Sequence, residues 1–233
     1  IVSICENNKV NLGIVFQHRF RKSSIKLKSF IKENKFGQIF SAQINIPWWR
    51  EQSYYDEPGR GTYNRDGGGV LISQAIHTLD LAISLLGDVK DVMVMAETTK
   101  FHKMESENFV TGGIKFKNSV IASLFASTSV FPGSSESIVL HCENATVKLE
   151  AGTLIINWRN GKKEEFGEES GTGGSADPMA FPFDWHKDLI LNFAKSINTN
   201  KKFEITGKEA LKVHYLIDAM IESSKKNKLI TME

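Results

Sequence analysis

The chain has 233 residues, of which 41% are hydrophobic, so it can bury a substantial core as one large or two small domains. Its 29 basic and 27 acidic residues leave a net charge of +2 without any sustained basic block, which does not favour a nucleic-acid partner. Cys5 and Cys142 lie far apart and outside metal-ligand spacing, and no apolar run approaches membrane-spanning length. We therefore expect a globular protein in a reducing, cytoplasmic setting, with no metal site and no membrane partner.

The first third of the chain is mainly helical in pattern. Residues 1–9 resemble the end of a helix, and NLGIVF at 11–16 predicts a short apolar strand. Helical spacing over 22–34 predicts a second helix, and alternation over 37–48 predicts a strand that Pro47 ends. Next comes YNRDGGGVLISQAIHTLDLAISLLG, which places three glycines directly before an amphipathic helix.

A block of alternating segments follows this helix, with turn residues between the segments. The tight turns favour antiparallel neighbours, so the sequence predicts a meandering sheet. The predicted strands are VKDVMVMAETT, ENFVTGGIKFKN, SVIASLFASTSVF, SESIVLHCEN, ATVKLEAG and TLIINWRNG. A Gly- and Ser-rich loop, GEESGTGGSADP, then precedes two helices, FDWHKDLILNFAKSI and TGKEALKVHYLIDAMIESSKKN.

This order of elements predicts an α+β fold in which helices pack on one face of a large, predominantly antiparallel, open-faced sheet. Strand alternation places Ile121 and Phe125 on the uncovered face, together with Ile155 or Trp158. A sheet face that keeps apolar residues in water indicates an association surface, although a merely solvated face is the alternative. We expect a homodimer or homotetramer that forms through this face.

The DGGG segment and His77 are the candidate site. Glycines before a helix let a backbone or a ligand approach closely, and the free amides of a helix start favour an anion. Phosphate binding is therefore one candidate, but the segment has neither the GxGxxG nor the GxxxxGK[ST] spacing. His77 follows Ser73 at i and i+4, so both side chains project together. A lone histidine in such a helix is more often structural than catalytic.

The segment EPGRGTYNRDGGGVLISQAIHTLDLAISLLGDV resembles the signature of the second domain of the Gfo/Idh/MocA family of nicotinamide-dependent sugar oxidoreductases. NLGIVFQHRF is similar to the family's Q-x-R-[FY] segment, KFGQIF to a helix ending in G-x-[IV], and the last helix pair also agrees. The resemblance covers essentially the whole chain. It is greatest with the branch that acts on nucleotide-linked sugars, such as UDP-N-acetylglucosamine 3-dehydrogenase and its uronate relatives.

The resemblance implies hydride transfer between NAD or NADP and a sugar hydroxyl carbon. His77 matches a family histidine that helps the hydroxyl lose its proton or holds it for a partnered lysine. Ser73 stands where the family often has Asp, so an Asp/His relay is put in doubt. The family's E-K-P lysine and dinucleotide fingerprint are missing. We therefore expect residues 1–16 to be the end of a Rossmann domain, 17–233 to be the substrate-binding and oligomerisation domain, and the chain alone to be inactive.

Other residues are candidates with structural alternatives of similar weight. Arg60 and Arg19 could hold a pyrophosphate or a uronate in bidentate geometry, or form ion pairs that fix loops. Gln17 matches a family position near the nicotinamide, but it could also cap a turn. Tyr55 belongs to an aromatic cluster suited to sugar or base stacking or to packing. His186, at a helix start, is a second candidate for a substrate contact.

Two functions of other classes stay open. The chain could be a non-catalytic carbohydrate-binding or assembly domain that keeps the fold, an alternative that Ser73 and the missing cofactor motifs support. A phosphate-binding regulator that uses DGGG as an anion site is the third alternative. Each would lack the sugar-dependent hydride transfer that the first interpretation predicts.

Overall fold

The computed structural model describes residues 1–168, 182–199, 201 and 203–232. The helices in this part are α1 (Val2–Asn7), α2 (Lys22–Lys32), α3 (Gln52–Tyr55), α4 (Ile76–Leu86), α5 (Asp184–Asn198) and α6 (Gly207–Lys226). A 3₁₀ turn covers Gln17–Phe20, and a π turn covers Leu71–Ala75. The strands are β1 (Ile39–Pro47), β2 (Val89–Glu97), β3 (Phe109–Phe116), β4 (Ile121–Ser127), β5 (Ser137–Cys142), β6 (Ala145–Glu150), β7 (Thr153–Trp158), β8 (Lys163–Gly167) and β9 (Ile230–Thr231).

The nine described strands form one sheet in the order β8-β7-β6-β5-β1-β4-β3-β2-β9. Every neighbouring pair is antiparallel except β1 and β4, which run parallel with Ile44 opposite Leu124. The predicted meander is correct for β2–β4 and for β5–β7, where consecutive strands pair as antiparallel neighbours. It misses the insertion of β1 between β4 and β5, because pairing between distant segments leaves no local sequence signal.

The core lies between one face of the sheet and the helices. Alternation along β1 and β4 buries Ala42, Ile44 and Ile46 beside Ala122 and Leu124, and the helices α2, α4 and α6 cover them. The α4 helix is apolar on nearly every side because it lies between the sheet and α6. The predicted fold, an open-faced sheet with helices on one side, is therefore confirmed.

The other face of the sheet keeps apolar residues at its surface. Ile121 is 59% exposed, while Phe125 and Ile155 are half-buried, as the alternation predicts. Trp158 is a correction, because it lies on the covered face with Leu154 and Ile156 and packs against Phe36 at a ring-centroid distance of 5.6 Å. Residues 154, 156 and 158 share one parity, so Ile155 and Trp158 cannot share a face.

Two further predictions differ from the structure. The predicted strand 11–16 contributes only an isolated bridge between Gly13 and Thr206. The short strands β8 and β9 were not predicted, because the charged sequence of β8, KEEFG, hides its alternation and β9 has only two residues. The predicted loop GEESGTGGSADP lies outside the described residues from position 169 onward. In the described ranges, no helix combines the length and the apolar character that crossing a bilayer requires.

Candidate active site

The glycine-rich segment leads into the helix that carries His77, and one buried residue, Glu107, binds its amides. The Glu107 carboxylate accepts hydrogen bonds from the N–H groups of Gly69 (3.2 Å) and Leu71 (3.1 Å). Its main-chain carbonyl accepts a third bond from the N–H of Val70 (2.8 Å). Amides at a helix start otherwise lack partners and carry partial positive charge, so a carboxylate stabilises them. Glu107 thereby fixes the position at which this helical segment begins.

Gly69 makes this close approach possible. A Cβ atom at Gly69 would lie 1.8 Å from the carbonyl oxygen of Glu107, so a larger residue would push the helix away from the strand. The amides of residues 69–71, which a bound phosphate would need, already have partners within the chain. The structure therefore gives Gly69 a packing role, and the helix-start amides of residues 69–71 are not free to bind a phosphate.

Ser73 lies in the π turn that precedes α4. Such turns are rare and occur frequently at functional sites. The Ser73 side chain is exposed, and its hydroxyl lies within donating distance of both the Gly69 carbonyl oxygen and Gln74 Oε1. Because a hydroxyl has one proton, it serves one of these acceptors at a time and keeps its lone pairs for another donor. Ser73 is thus available to a ligand, but without a charge.

His77 lies in the first turn of α4 and is half-buried. The edge of Phe16 packs against its ring at a centroid distance of 5.8 Å, and the ring of His18 lies 5.4 Å away. Its Nδ1 atom is buried and has no hydrogen-bond partner among the described residues. This leaves Nε2 as the ring nitrogen that we assign to a ligand.

His77 is neutral at physiological pH. Burial lowers its pKa from 6.5 to about 4, and the positive charge of Arg21 and the nearby His186 add to the shift. A base with so low a pKa takes a full proton weakly, yet its lone pair still accepts a hydrogen bond. The geometry therefore suits holding a hydroxyl group better than removing its proton outright.

Buried charged residues lie directly behind His18. Arg21 and Glu136 form an ion pair with Nη1 and Oε1 2.7 Å apart, and both side chains are almost fully buried. Arg21 also contacts His18 Nε2 through Nη2 at 2.8 Å, and its guanidinium stacks over Trp185 of α5 at 4.4 Å. Neither Arg21 nor Glu136 lies in a sequence motif, so no local pattern predicts their role.

Gln17 and His186 are brought to the same region as His77. Gln17 begins the 3₁₀ turn that also carries His18, and its Oε1 atom is buried without a hydrogen-bond partner among the described residues. His186 lies in the first turn of α5, half-buried, and is close enough to act electrostatically on His77 and His18. His186 thus lies near His77, and Gln17 belongs to the turn from which Phe16 and His18 contact His77.

Arg19 points to a different partner. Its Nε and Nη2 atoms donate to the two carboxylate oxygens of Asp80 at 2.7 and 2.6 Å, in the buried bidentate geometry of a structural ion pair. Burial raises the pKa of Asp80 and the bonds from Arg19 oppose the rise. The geometry favours the structural alternative for Arg19, which ties the 3₁₀ turn to α4.

Arg60 and Tyr55 lie in the segment around α3. Arg60 is half-buried over the ring of Tyr54 at 4.9 Å and near the carboxylates of Glu57 and Asp66. The hydroxyl of Tyr55 is bonded to Thr128 at 2.7 Å, and burial raises its pKa to about 12. Arg60 remains a candidate for binding an anion, whereas the polar end of Tyr55 is used within the chain.

Two cavities open near these groups. One of about 580 Å³ is lined by Arg21 and Trp185 among others, and one of about 360 Å³ lies between Tyr63 and Ile217 of α6. Both volumes are in the range of small-molecule sites, but His77 lines neither. The side of His77 that would face a ligand is therefore not enclosed by the described residues.

Comparison with known proteins agrees with this arrangement. The model of the GFO/IDH/MocA C-terminal domain matches residues 24–148, more than half of the chain. An uncharacterized protein of Saccharomyces cerevisiae, YMR315W, is 26% identical over 171 residues, which are 69% of this chain and 47% of that protein.

Solved structures of similar fold include dehydrogenases in complex with NADH. The WlbA dehydrogenase of Chromobacterium violaceum, in complex with NADH and UDP-GlcNAcA, is 26% identical with a TM-score of 0.79, over 100% of this chain and 66% of that one. The WlbA dehydrogenase of Bordetella pertussis, also in complex with NADH and UDP-GlcNAcA, is 23% identical with a TM-score of 0.81, over 100% of this chain and 66% of that one. A levoglucosan dehydrogenase in complex with NADH is 16% identical with a TM-score of 0.84, over 99% of this chain and 68% of that one. At this identity the similarity shows the fold alone.

This chain therefore spans about two thirds of the WlbA dehydrogenases and about half of the yeast protein. Its nine-stranded sheet, its glycine-led helix with His77 and the match over residues 24–148 agree with one another. The chain belongs to the GFO/IDH/MocA family and contains that family's C-terminal domain.

Proposed function

We propose that this chain is the substrate-binding and oligomerisation part of an NAD- or NADP-dependent sugar dehydrogenase. The observation that carries the proposal is His77, held neutral at the start of α4 against the rings of Phe16 and His18, in a chain of the GFO/IDH/MocA family. In this proposal residues 17–233 are the substrate domain and residues 1–16 end a dinucleotide-binding domain.

The proposed role of His77 follows from its protonation state. In this mechanism Nε2 accepts a hydrogen bond from the reacting sugar hydroxyl and orients it, while Ser73 and His186 contact neighbouring hydroxyls. As the hydroxyl carbon loses its hydride and becomes a carbonyl carbon, the hydroxyl proton passes to a base, which family resemblance expects to be a lysine outside the described residues. Orientation by a neutral acceptor is consistent with a pKa of about 4.

The described residues fit only one end of a dinucleotide. The buried Gln17 Oε1 lacks a partner, so an amide such as that of a nicotinamide could donate to it. By contrast, the N–H groups of Gly69, Val70 and Leu71 at the helix start are already bonded to Glu107 and are not free for a pyrophosphate. The nicotinamide cofactor, when bound, supplies the hydride acceptor.

We further propose that the substrate is a nucleotide-linked sugar, such as a UDP-N-acetylhexosamine or its uronate. Two WlbA dehydrogenases of the same fold are complexes with UDP-GlcNAcA, and the sequence around Arg60 and Tyr63 is most similar to that branch. Arg60, half-buried on the ring of Tyr54, offers the bidentate donors that a pyrophosphate or a uronate binds.

The test is nicotinamide reduction by the full-length protein. Purified protein is mixed with NAD or NADP and, in turn, UDP-GlcNAcA, UDP-GlcNAc and unlinked hexoses, and reduced nicotinamide is followed by its absorbance. We expect turnover with a nucleotide-linked sugar and little with the unlinked hexoses. Turnover restricted to unlinked sugars would contradict the nucleotide-sugar assignment and leave the dehydrogenase assignment intact.

The non-catalytic alternative makes a different prediction in the same samples. A carbohydrate-binding or assembly domain would bind the nucleotide sugar in calorimetry and yet reduce no nicotinamide with any sugar. Ser73, which cannot carry charge, is the observation that favours this alternative. Binding with no turnover by the full-length protein would therefore replace the proposed function with this one.

A further inference from the structure

The ion pair of Arg21 and Glu136 is a buried charge pair that the proposed mechanism does not use. Each residue is 3% exposed, and the two charged groups lie 2.7 Å apart. Placing charges in a protein interior costs free energy that an ion pair only partly offsets, so a buried pair is poor evidence of a stabilising role. The ring of His18 lies between this ion pair and His77. That position indicates a role in controlling the state of His77.

The contact between Arg21 and His18 fixes the protonation of His18. A guanidinium can only donate hydrogen bonds, so His18 Nε2, 2.8 Å from Arg21 Nη2, must be the acceptor. His18 is then neutral and carries its proton on Nδ1, which is buried and has no partner among the described residues. The 3.9 Å approach of His18 Nε2 to Glu136 is consequently not an ion pair. Burial and the charge of Arg21 lower the pKa of His18 well below 6.5.

The neutral His18 ring lies against His77. Their ring centroids are 5.4 Å apart, and Phe16 packs on His77 from the same turn. From α5, Trp185 covers Arg21 at 4.4 Å and His186 faces the two histidines. On the helix of His77 itself, Asp80 is neutralised by Arg19.

Within the described residues the fixed charge acting on His77 is therefore that of Arg21, held in place by Glu136. We propose that Arg21 is a positioning residue that, together with His18 and Glu136, keeps the His77 ring neutral and in one orientation. Arg21 opposes a second positive charge on His77, and the neutral His18 ring fills the space between them. Glu136 holds the guanidinium so that its charge stays at this distance. The inference rests on the proposed function in one respect, namely that a neutral His77 is needed to accept a hydrogen bond from the substrate hydroxyl.

Histidine titrations by NMR test the inference without substrate or cofactor. Ring-labelled histidines of this chain are titrated, and His77 is assigned by its loss in His77→Gln. In the wild type we expect His77 to titrate far below 6.5 and the nitrogen shifts of His18 to show a proton on Nδ1. A proton on His18 Nε2, or titration of His77 near its ordinary value, would overturn the inference with no variant needed.

Variants then separate the effect of the Arg21 charge on His77 from the effect of Arg21 packing. Arg21→Gln should raise the His77 pKa by about 1 unit, in keeping with the effect of a nearby charge, whereas Arg21→Lys should keep it low. Lys26→Gln is the control for loss of a positive charge, because Lys26 on α2 lies over the rings of Phe30 and Phe166 and not beside His77, so the His77 pKa should stay unchanged. An unchanged His77 pKa in folded Arg21→Gln, checked by circular dichroism, would overturn the proposal.

A second variant covers the case in which Arg21→Gln does not fold. Glu136→Gln keeps the shape of the side chain and leaves the Arg21 charge without its counter-charge, so the His77 pKa should fall further. A rise of the His77 pKa in Glu136→Gln would contradict the proposal. These titrations do not depend on turnover, so failure of the proposed enzyme activity and failure of this inference are distinguishable.

Discussion

At the scale of single residues, buried histidines connect stability with the candidate chemistry. His77 and His18 both have pKa values lowered first by burial and then by Arg21, so the folded protein resists protonating them. The unfolded chain protonates them near 6.5, as exposed histidines do. The same environment that keeps His77 neutral for a ligand therefore makes the fold sensitive to acid.

The first prediction is a loss of stability between pH 6.5 and about 4. Above pH 6.5 both histidines are neutral in both states, and their full contribution is present. As the pH falls, each of these histidines binds a proton in the unfolded chain but not in the folded one. The free energy of unfolding therefore decreases by about 1.4 kcal/mol per pH unit for each histidine. Urea unfolding followed by circular dichroism at a series of pH values measures this slope.

The control for this prediction is His77→Gln, which removes one titrating group and should reduce the slope. Equal slopes in the wild type and in His77→Gln would show that burial of His77 does not lower its pKa in the folded protein.

At the scale of elements, the start of the His77 helix depends on Glu107. This side chain accepts two amide bonds of the helix start, and burial raises its pKa while those bonds oppose the rise. A glutamine has one oxygen and would point an NH₂ group at the second amide, leaving a buried donor without an acceptor. The position of Ser73 and His77 thus depends on a residue far away in the sequence.

The second prediction is that Glu107→Gln lowers the free energy of unfolding by about 1–3 kcal/mol, the cost of an unsatisfied buried group. Glu105→Gln is the matched control, because Glu105 is exposed and binds only the loop amide of Tyr63. Chemical denaturation of the two variants at neutral pH makes the comparison. A Glu107→Gln protein as stable as Glu105→Gln would mean that Glu107 does not hold the helix start.

Sequence patterns predicted the elements better than their partners. Period-two alternation located seven of the strands because each buries one face, and helical spacing located α2, α4, α5 and α6. The same patterns could not show that β1 enters between β4 and β5, since pairing at a distance depends on the whole sheet. Glu107, Arg21 and Glu136 were missed for the same reason, because their importance comes from partners up to 115 positions away, as Arg21 and Glu136 are.

The candidate site shows the same division. The family resemblance predicted that His77 and Gln17 lie in one region, and in the structure Gln17 follows Phe16, whose ring contacts His77. For Arg19 and Arg60 the sequence left two alternatives open, binding of an anion and ion pairing within the chain. Arg19 is bonded to Asp80, which lies 61 positions away in the sequence, and no local spacing predicts that pair. The residue type shows which groups a side chain can bind, whereas only the fold shows whether a partner within the chain already binds it.

At the scale of the whole molecule, the uncovered sheet face is a candidate for self-association. Met93, Gly113, Ser123, Gln43 and Val139 form one row across the strands, in which small residues at the centre leave the face flat. Apolar side chains border this row, among them Met95, Ile121, Phe125 and Ile155. Burying such area is favourable by about 25 cal/mol per Å² before the costs of association.

The third prediction is that the chain forms at least a homodimer through this face. Phe125, half-buried against Phe109 at a ring-centroid distance of 5.5 Å, lies in the apolar border, so Phe125→Glu should weaken the dimer. Ile25→Glu is the matched control, since Ile25 is 53% exposed on α2, on the helical side. Sedimentation at micromolar concentration makes the comparison. A monomeric wild type would contradict the assembly, and a dimer insensitive to Phe125→Glu would move the interface elsewhere.

The central claim is that His77 acts on a sugar hydroxyl in a nicotinamide-dependent dehydrogenase. Its most direct test is the steady-state kinetics of the full-length protein, with His77→Ala compared with the wild type and with Ser73→Ala as the control. We expect His77→Ala to lower kcat by at least about 10²-fold with little change in KM, because the reacting hydroxyl is no longer oriented toward its base. Ser73→Ala should lower kcat much less, since in the proposed mechanism Ser73 contacts a neighbouring hydroxyl and not the reacting one. An unchanged kcat in His77→Ala would contradict the account.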